Sequence, residues 1–301
     1  TNENRNIKKV NTIKDTMIYD LCLAFKKKGC DVTLAASDLY KPSENESYPF
    51  NIIWMRTRCT KIFPPHTLPY CPEVKKIAKS GNFDLIITSE VFSLNSLKLA
   101  LCTLKNLIVW QELGKHNRIF HGLASKFWYG IVAKIGFKKA LIVARSVQAR
   151  EFISKYCKNV SDTIIDHGVN IEKFTPCREK DNQFAISSQL ISRKHIEKSI
   201  EAFAKYLNKY DDSAKLYIMG DGDEKENLRK LTKDLGADKN IIFTGKLGHN
   251  ELIEILKKSI AMLVYTEKDN NMVSVVESIA LATPVITTDI PYNASYIKAE
   301  K

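Results

Sequence analysis

Four short segments of this sequence carry residue types suited to holding a phosphorylated, hydroxyl-rich ligand. Arg193 and Lys194 stand side by side in Ser188-Gln189-Leu190-Ile191-Ser192-Arg193-Lys194, a predicted strand-to-helix loop. Two cations beside the free N–H groups of a helix start suit a diphosphate. Gly220-Asp221-Gly222 ends one β-rich run and Gly245 ends another. At such positions a missing side chain lets backbone approach a flat ligand. The fourth segment runs from Asp269 to Glu277 and leads from a strand into a helix. Asp269 precedes the helix start, where unpaired N–H groups attract phosphate oxygens. Glu277 lies about one turn inside, and its carboxylate can accept two hydrogen bonds from vicinal hydroxyls such as those of a ribose. Each segment alone also has a plainer reading: a solvated Arg-Lys pair, two turns, an N-capping Asp and a solvent-facing helix Glu.

These segments are placed by an alternation of strands and helices. In the second half, Ala185 to Ser188 reads as a strand, and Ile196, Ile200, Phe203 and Leu207 then share one helical face. Lys215 to Met219, Ile241 to Thr244, Ile260 to Tyr265 and Pro284 to Thr288 read as further strands, with helices between them. Gly236 takes the helix-closing role after Leu228, Leu231 and Leu235. The first half repeats the rhythm: a helix from about Ile13 to Lys28, then strands at Asp31 to Ala36, Asn51 to Met55, Asp84 to Thr88, Asn106 to Trp110 and Ala140 to Ala144. This pattern predicts an α/β protein of two parallel-sheet, Rossmann-like domains, joined between Asp166 and Arg178. In parallel α/β sheets ligands bind beyond the carboxyl ends of the strands, and the four segments above fall there.

Composition narrows the class. Apolar content of 44% and charged content of 27% over 301 residues fit a globular protein of two domains. The apolar runs are too short to span a bilayer. Seven cysteines are scattered without a C-x-x-C pair, which argues against a disulfide framework or a zinc site; Cys22, Cys102 and Cys157 are expected as small buried hydrophobes. The net charge of +12 is lopsided: residues 1–170 hold 26 Lys/Arg against 14 Asp/Glu, whereas residues 171–301 hold 20 of each. A basic half suggests an anionic surface as partner, nucleic acid or acidic lipid; the plainer reading is a lysine-rich, solvated surface. No RNA- or DNA-binding motif accompanies it. Between two first-half strands, Lys126-Phe127-Trp128-Tyr129 with Ile131, Val132, Ile135, Phe137, Lys138 and Lys139 forms a basic, aromatic, amphipathic helix. Such a helix could lie in a membrane interface, though an apolar face like this more often packs on its own sheet.

Taken in order, Gln189-Leu190 with Arg193-Lys194, Gly220-Asp221-Gly222, Phe243-Thr244-Gly245, Glu277-Ser278-Ile279-Ala280 and Thr283-Pro284-Val285-Ile286 resemble the donor domain of the retaining glycosyltransferases of family GT4 (group 1). His167-Gly168-Val169-Asn170 followed by Phe174-Thr175-Pro176 resembles that family's interdomain segment. The resemblance covers about residues 140 to 298; the first half matches in outline, through Trp110-Gln111-Glu112 after a strand.

The resemblance implies a GT-B fold: a first domain at 1–166 on the acceptor side and a nucleotide-sugar donor domain at 167–301, facing a cleft. It implies sugar transfer with retention from a nucleotide-diphosphate sugar to a glycolipid or polysaccharide acceptor of the cell envelope. It further implies no catalytic metal and no cofactor beyond the donor. The missing nucleic-acid motif argues against a nucleic-acid partner, the unpaired cysteines suit a reducing, cytoplasmic compartment, and the basic first half suits a place at the inner face of the membrane.

For particular residues it implies that Lys194, helped by Arg193, neutralises the donor diphosphate. Gly220 and Gly245 admit the nucleotide, and the backbone of Met272, Val273 and Ser274 holds the distal phosphate. Glu277 grips the ribose. Asp269 contacts the donor sugar, with Gln111 or Glu112 assisting catalysis from the first domain. Several positions depart from the family: Asp269 stands for a usual Glu, Asn270 and Met272 for usual glycines, Ser188-Gln189 for a usual Gly-Arg, His195 for a glycine, and Gln111 for a usual His. These departures keep a second reading open, a GT-B scaffold that binds a nucleotide or partner without catalysis. His116 and His121 are candidates to face the cleft or to sit solvated in a loop. The family's first strand with its glycine-rich loop, and its closing helices, are not visible, which suggests a piece of a longer protein.

Overall fold

The structure, a computed structural model, describes residues 12–14, 16–43, 45–61, 69–102, 106–116, 122–166, 168–267, 269, 272–290 and 294. The chain divides into two compact units, residues 1–166 and 167–301.

The first unit opens with helix α1 (Met17–Lys27), whose start is fixed by the Thr16 side chain accepting a hydrogen bond from the amide of Tyr19. Strands β1 (Thr33–Ser37) and β2 (Asn51–Met55) follow and pair in parallel. After α2 (Val74–Ser80) come β3 (Ile86–Ser89), α3 (Leu94–Ala100) and β4 (Leu107–Gln111). A continuous helical stretch then runs through α4 (Leu123–Phe127), a π-helical turn (Trp128–Ala133) and α5 (Lys134–Gly136). Strand β5 (Leu141–Ala144), helix α6 (Val147–Ser154) and strand β6 (Val160–Ile164) close the unit. β3-β4-β5-β6 form a parallel four-stranded sheet; β6 escaped the sequence reading, because its polar residues Ser161, Asp162 and Thr163 mask an edge strand. β1 and β3 do not pair, and residues of both line a cavity of about 220 Å³.

β4 and β5 read as continuous apolar runs because the sheet is covered on both faces. Val109 and Ile142 are fully buried, against Tyr129, Phe137 and Ile153, which are also inaccessible to solvent. Cys22 and Cys157 are buried as expected, and burial pushes both thiols up to about 11. Cys102 is only half-buried, two residues past the end of α3.

The second unit is a parallel five-stranded sheet of order β11-β10-β7-β8-β9. Its elements are β7 (Gln183–Ser187), α7 (Ile196–Lys209), β8 (Lys215–Met219), α8 (Lys225–Asp234), β9 (Ile241–Gly245), α9 (His249–Lys258), β10 (Ala261–Val264), α10 (Val273–Ala280) and β11 (Val285–Thr287). α7 buries the stripe its spacing predicts: Ile196, Ile200, Phe203 and Leu207, together with Ala204. Each large side chain there contributes roughly 1.5–3 kcal/mol relative to exposure. The strand order reverses between β7 and β10, so the loops after these two strands diverge. Doubly wound sheets receive a ligand in the crevice this leaves.

Candidate functional site

The loop after β7 carries Arg193 and Lys194, and the segment after β10 carries Thr266 and Asp269, so the strand order brings all four to one crevice. Arg193 donates to Asp269 Oδ1 at 2.5 Å, Lys194 donates to Oδ2 at 2.7 Å, and the Thr266 hydroxyl donates to the same Oδ2 at 2.7 Å. Burial alone would raise the Asp269 carboxyl; the hydrogen bond and charge of Lys194, with help from Thr266 and Arg193, outweigh it and hold the group below the usual carboxylate range. The carboxylate thus rests on the two cations assigned to a diphosphate, rather than pointing toward a sugar subsite. Any anionic ligand that reaches Lys194 does so in competition with Asp269.

The backbone between these residues is set by local strain. His195, just after Lys194, has φ of 46°, in the left-handed region where glycine costs least. Its ring is held by Glu197 at 3.0 Å and Glu267 at 3.5 Å, which fixes the turn that a glycine would otherwise make freely.

Gly220 and Gly222 have a packing reason. A Cβ at Gly220 would lie 1.8 Å from the Ser188 carbonyl oxygen, and one at Gly222 would lie 2.2 Å from that of Leu190. The Leu190 amide donates to the Asp221 carbonyl at 3.0 Å, and the Gly220 amide to that of Gly245 at 2.9 Å. The two glycines therefore let the loop after β8 clasp the loop that carries Lys194. Gly245, at φ of 74°, ends β9 on the same side.

Helix α10 starts at Val273, and its N-cap residue, Met272, does not cap the first turn with its side chain. Val273 and Ser274 therefore occupy the first turn, whose backbone dipoles favour an anion. Glu277 lies one turn in, mostly buried, and its Oε1 takes a 3.0 Å hydrogen bond from Nε2 of His249, the first residue of α9. The His249 ring packs edge-on against Phe174 at 6.0 Å. Sequence reading missed His249; its place directly after Gly248, at the start of a helix facing α10, was the available signal. Asn270, Asn271 and His167 lie outside the described residues.

The first unit has its own polar cluster at the carboxyl ends of β3, β4 and β5. Glu112 accepts a 2.8 Å ion-paired hydrogen bond from Arg145, whose guanidinium stacks 3.7 Å from the Trp110 ring centre. Glu90, just past β3, accepts backbone hydrogen bonds from Glu112 at 2.9 Å and Leu113 at 3.4 Å, on a left-handed backbone (φ 68°). Burial and the neighbouring Glu112 charge, partly offset by those amides and by Arg145, push the Glu90 carboxyl up to about 7. Neither Glu90 nor Arg145 stood out in the sequence, because each is a lone charge at a strand end.

Gln111 sits differently from its neighbour Glu112. It is fully buried; its amide oxygen accepts from the Val91 amide at 2.9 Å, and its nitrogen donates to the Leu113 carbonyl at 2.9 Å. These bonds tie strand ends together and leave the amide turned inward. His116 is neither solvated nor exposed at a surface: its ring nitrogens meet Ser125 at 3.0 Å and Tyr156 at 3.1 Å among aromatic rings. Desolvation and the nearby Lys126 charge lower its basicity. His121 lies outside the described residues.

Comparison with known proteins places this geometry. Residues 170–301 match the sequence profile of the family described as glycosyl transferases group 1. The chain is 26% identical over 244 residues to alpha-monoglucosyldiacylglycerol synthase of Streptococcus pneumoniae, covering 72% of this chain and 54% of that protein. It thus spans about half the length of that curated relative. Among solved structures, WaaG, a glycosyltransferase involved in lipopolysaccharide biosynthesis, superposes with a TM-score of 0.62 over 97% of this chain and 81% of WaaG, at 13% identity. Anabaena HepE in complex with UDP superposes with a TM-score of 0.65 over 95% of this chain and 80% of HepE, at 12% identity. The fold is that of GT-B glycosyltransferases.

Proposed function

Since residues 170–301 belong to the group 1 glycosyl transferases, we propose that this chain takes part in moving a sugar from a nucleoside-diphosphate sugar to a glycolipid or polysaccharide acceptor, with retention at the anomeric carbon. The observation that carries the reading is the meeting of Arg193, Lys194 and Asp269 where the strand order of the second unit reverses, with Glu277 one turn into the neighbouring helix. As the bond from the anomeric carbon to the diphosphate lengthens, negative charge gathers on the leaving group. Lys194, Arg193 and the first turn of α10 offset that charge, with no metal needed. Glu277, steadied by His249, takes the ribose hydroxyls.

Asp269 leaves the cations when the diphosphate arrives and turns to the donor sugar. In the first unit, Glu112 and Arg145 stand at the strand ends where an acceptor hydroxyl would be received. Gln111 serves by positioning. The resemblance to a diacylglycerol-modifying synthase favours an acceptor anchored in the inner face of the cell membrane.

One observation favours a second reading, a scaffold that binds nucleotide without turnover: Asp269 already neutralises both cations. A panel of UDP-, GDP- and ADP-sugars separates the two. The transferase reading expects slow release of nucleoside diphosphate from one donor, suppressed in Lys194→Ala and Glu277→Ala. Saturable nucleotide binding with no release from any donor, with or without lipid acceptors, would establish the scaffold instead.

A further inference from the structure

We propose that His195 is a positioning residue for the donor crevice of the second unit. Its protonated ring, held between Glu197 and Glu267, ties the loop carrying Arg193 and Lys194 to the segment after β10, so that nucleoside diphosphate affinity follows the charge of this one imidazole. This deepens the proposed function and rests on its donor reading.

The backbone of His195 joins two elements. Its amide donates to the Ser192 carbonyl at 3.2 Å, closing the tight turn Ser192–Lys194, and its carbonyl accepts from the Lys198 amide at 3.1 Å, opening α7. The ring reaches further than either bond. Nδ1 meets Glu197 in the first turn of α7 at 3.0 Å, and Nε2 meets Glu267, past the end of β10, at 3.5 Å. The Tyr265 ring packs edge-on against the imidazole at 6.0 Å. A glycine would make this turn with less strain but could not bridge the loops. When a diphosphate takes Arg193 and Lys194 from Asp269, the His195–Glu267 bridge involves neither cation and still holds the two loops at their spacing. A ligand that touches both loops then loses less freedom on binding.

The bridge needs one charge state. A neutral imidazole has one N–H and one lone pair, so whichever nitrogen carries the hydrogen, one carboxylate faces a lone pair. Only the imidazolium presents N–H to both. The other charged groups around it are already matched: Arg193 and Lys194 with Asp269, and Lys198 with Glu201 at 3.2 Å. Asp269 is held below the usual carboxylate range, so it stays ionised near neutral pH. Raising the pH takes the proton from the ring and releases Glu267, the longer of its two contacts. The surroundings of the diphosphate site also become one unit more negative. Both changes weaken the binding of an anion.

The test is calorimetric titration of the full chain with UDP from pH 5.5 to 8. UDP itself gains negative charge over this range, so the quantity read is the affinity of the parent relative to each variant at the same pH. Glycine adopts φ of 46° without steric cost, so His195→Gly removes the ring and leaves the turn. The parent should bind UDP about three- to fivefold more tightly than His195→Gly at pH 5.5, the worth of a partly exposed ion pair, and within about twofold of it at pH 8. Glu267→Gln, which keeps the length of the side chain and removes its charge, should lose most of the low-pH advantage. A ratio of parent to His195→Gly that is constant with pH would overturn the proposal. So would a dependence that survives in His195→Gly and disappears in His249→Gln, which would assign it to the His249–Glu277 contact.

A second measurement needs no nucleotide. In NMR spectra of the free protein, the amide signals of Lys194 and Thr266 should move with the same pH midpoint as the ring protons of His195, and should stop moving in His195→Gly. Amide signals indifferent to the ring would show that the loops are not tied, and would overturn the proposal. Coupled signals in a protein that binds none of UDP, GDP and ADP would leave the bridge standing and remove the donor reading instead.

Discussion

Lys194 and Asp269 are 75 residues apart in sequence and 2.7 Å apart in space, the ammonium of one donating to the carboxylate of the other. The same carboxylate accepts from Arg193. Asp269 keeps these two partly buried positive charges paired. On the proposed function it is a built-in competitor that a diphosphate would have to replace, since a site holding the cations unpaired would be far less stable.

Replacing that competitor should therefore tighten nucleotide binding. In Asp269→Asn the shape is kept and the charge removed, and the dissociation constant for UDP is expected to fall by about three- to tenfold, from the loss of one charge-assisted contact. Titration calorimetry reads this directly. Weaker binding by the variant would mean that Asp269 organises the site rather than competes in it.

Lys194→Ala should have the opposite effect. A hydrogen bond to a charged group contributes roughly 1.5–3 kcal/mol, so UDP affinity should drop by about ten- to a hundredfold. Donor turnover should fall further, because the leaving-group charge is greatest in the transition state. Turnover and affinity falling by the same factor would assign Lys194 to binding alone.

Glu277 is expected to read the ribose. In the parent protein, UDP should bind better than its 2′-deoxy or 3′-deoxy analogue by roughly tenfold, the worth of a hydrogen bond to a carboxylate. Glu277→Ala should abolish the difference, and His249→Ala should reduce it by letting the carboxylate swing. Discrimination that survives in Glu277→Ala would move the ribose contact elsewhere.

Glu90 predicts a pH dependence of stability. Its carboxyl sits at about 7 in the fold against about 4.5 unfolded, so between these values the folded state holds the extra proton. Stability from this group is present below about pH 4.5 and is lost as pH rises to about 7, by an amount of order 1–3 kcal/mol. Comparing thermal midpoints of the parent and Glu90→Gln across pH 5 to 7.5 isolates it: the parent should lose ground to the variant as pH rises. Parallel curves would mean that Glu90 is already ionised throughout.

Gly220→Ala should be destabilising by at least about 2 kcal/mol. The added methyl would meet the Ser188 carbonyl at 1.8 Å on a backbone of φ 146°, so the loop carrying Lys194 must shift. A denaturant midpoint equal to the parent's would show that the two loops are not clasped in solution.

The parallel α/β architecture was legible in the sequence because burial on both sheet faces makes strands such as Leu141–Ala144 continuously apolar, and because the period of Ile196, Ile200, Phe203 and Leu207 declares a helix. β6 was not legible, since an edge strand needs no apolar run. The residue types of the second-unit site were likewise readable, as cations, glycines and carboxylates just after strands. What they do to one another was not. Only the strand order β10-β7-β8 places the segment after β10 beside the loop after β7, and only side-chain reach then decides that Asp269 rests on Arg193 and Lys194.

The same division holds in the first unit. Gln111 and Glu112 are neighbours in sequence, but side chains alternate along an extended strand end, so one turns into the core and the other toward Arg145. A helix over Lys126 to Lys139 was recognisable by composition, while its start at Leu123, its end at Gly136 and its two apolar faces were not. A π-helical turn changes the angular period, and only folding reveals which row is buried and which is left in water.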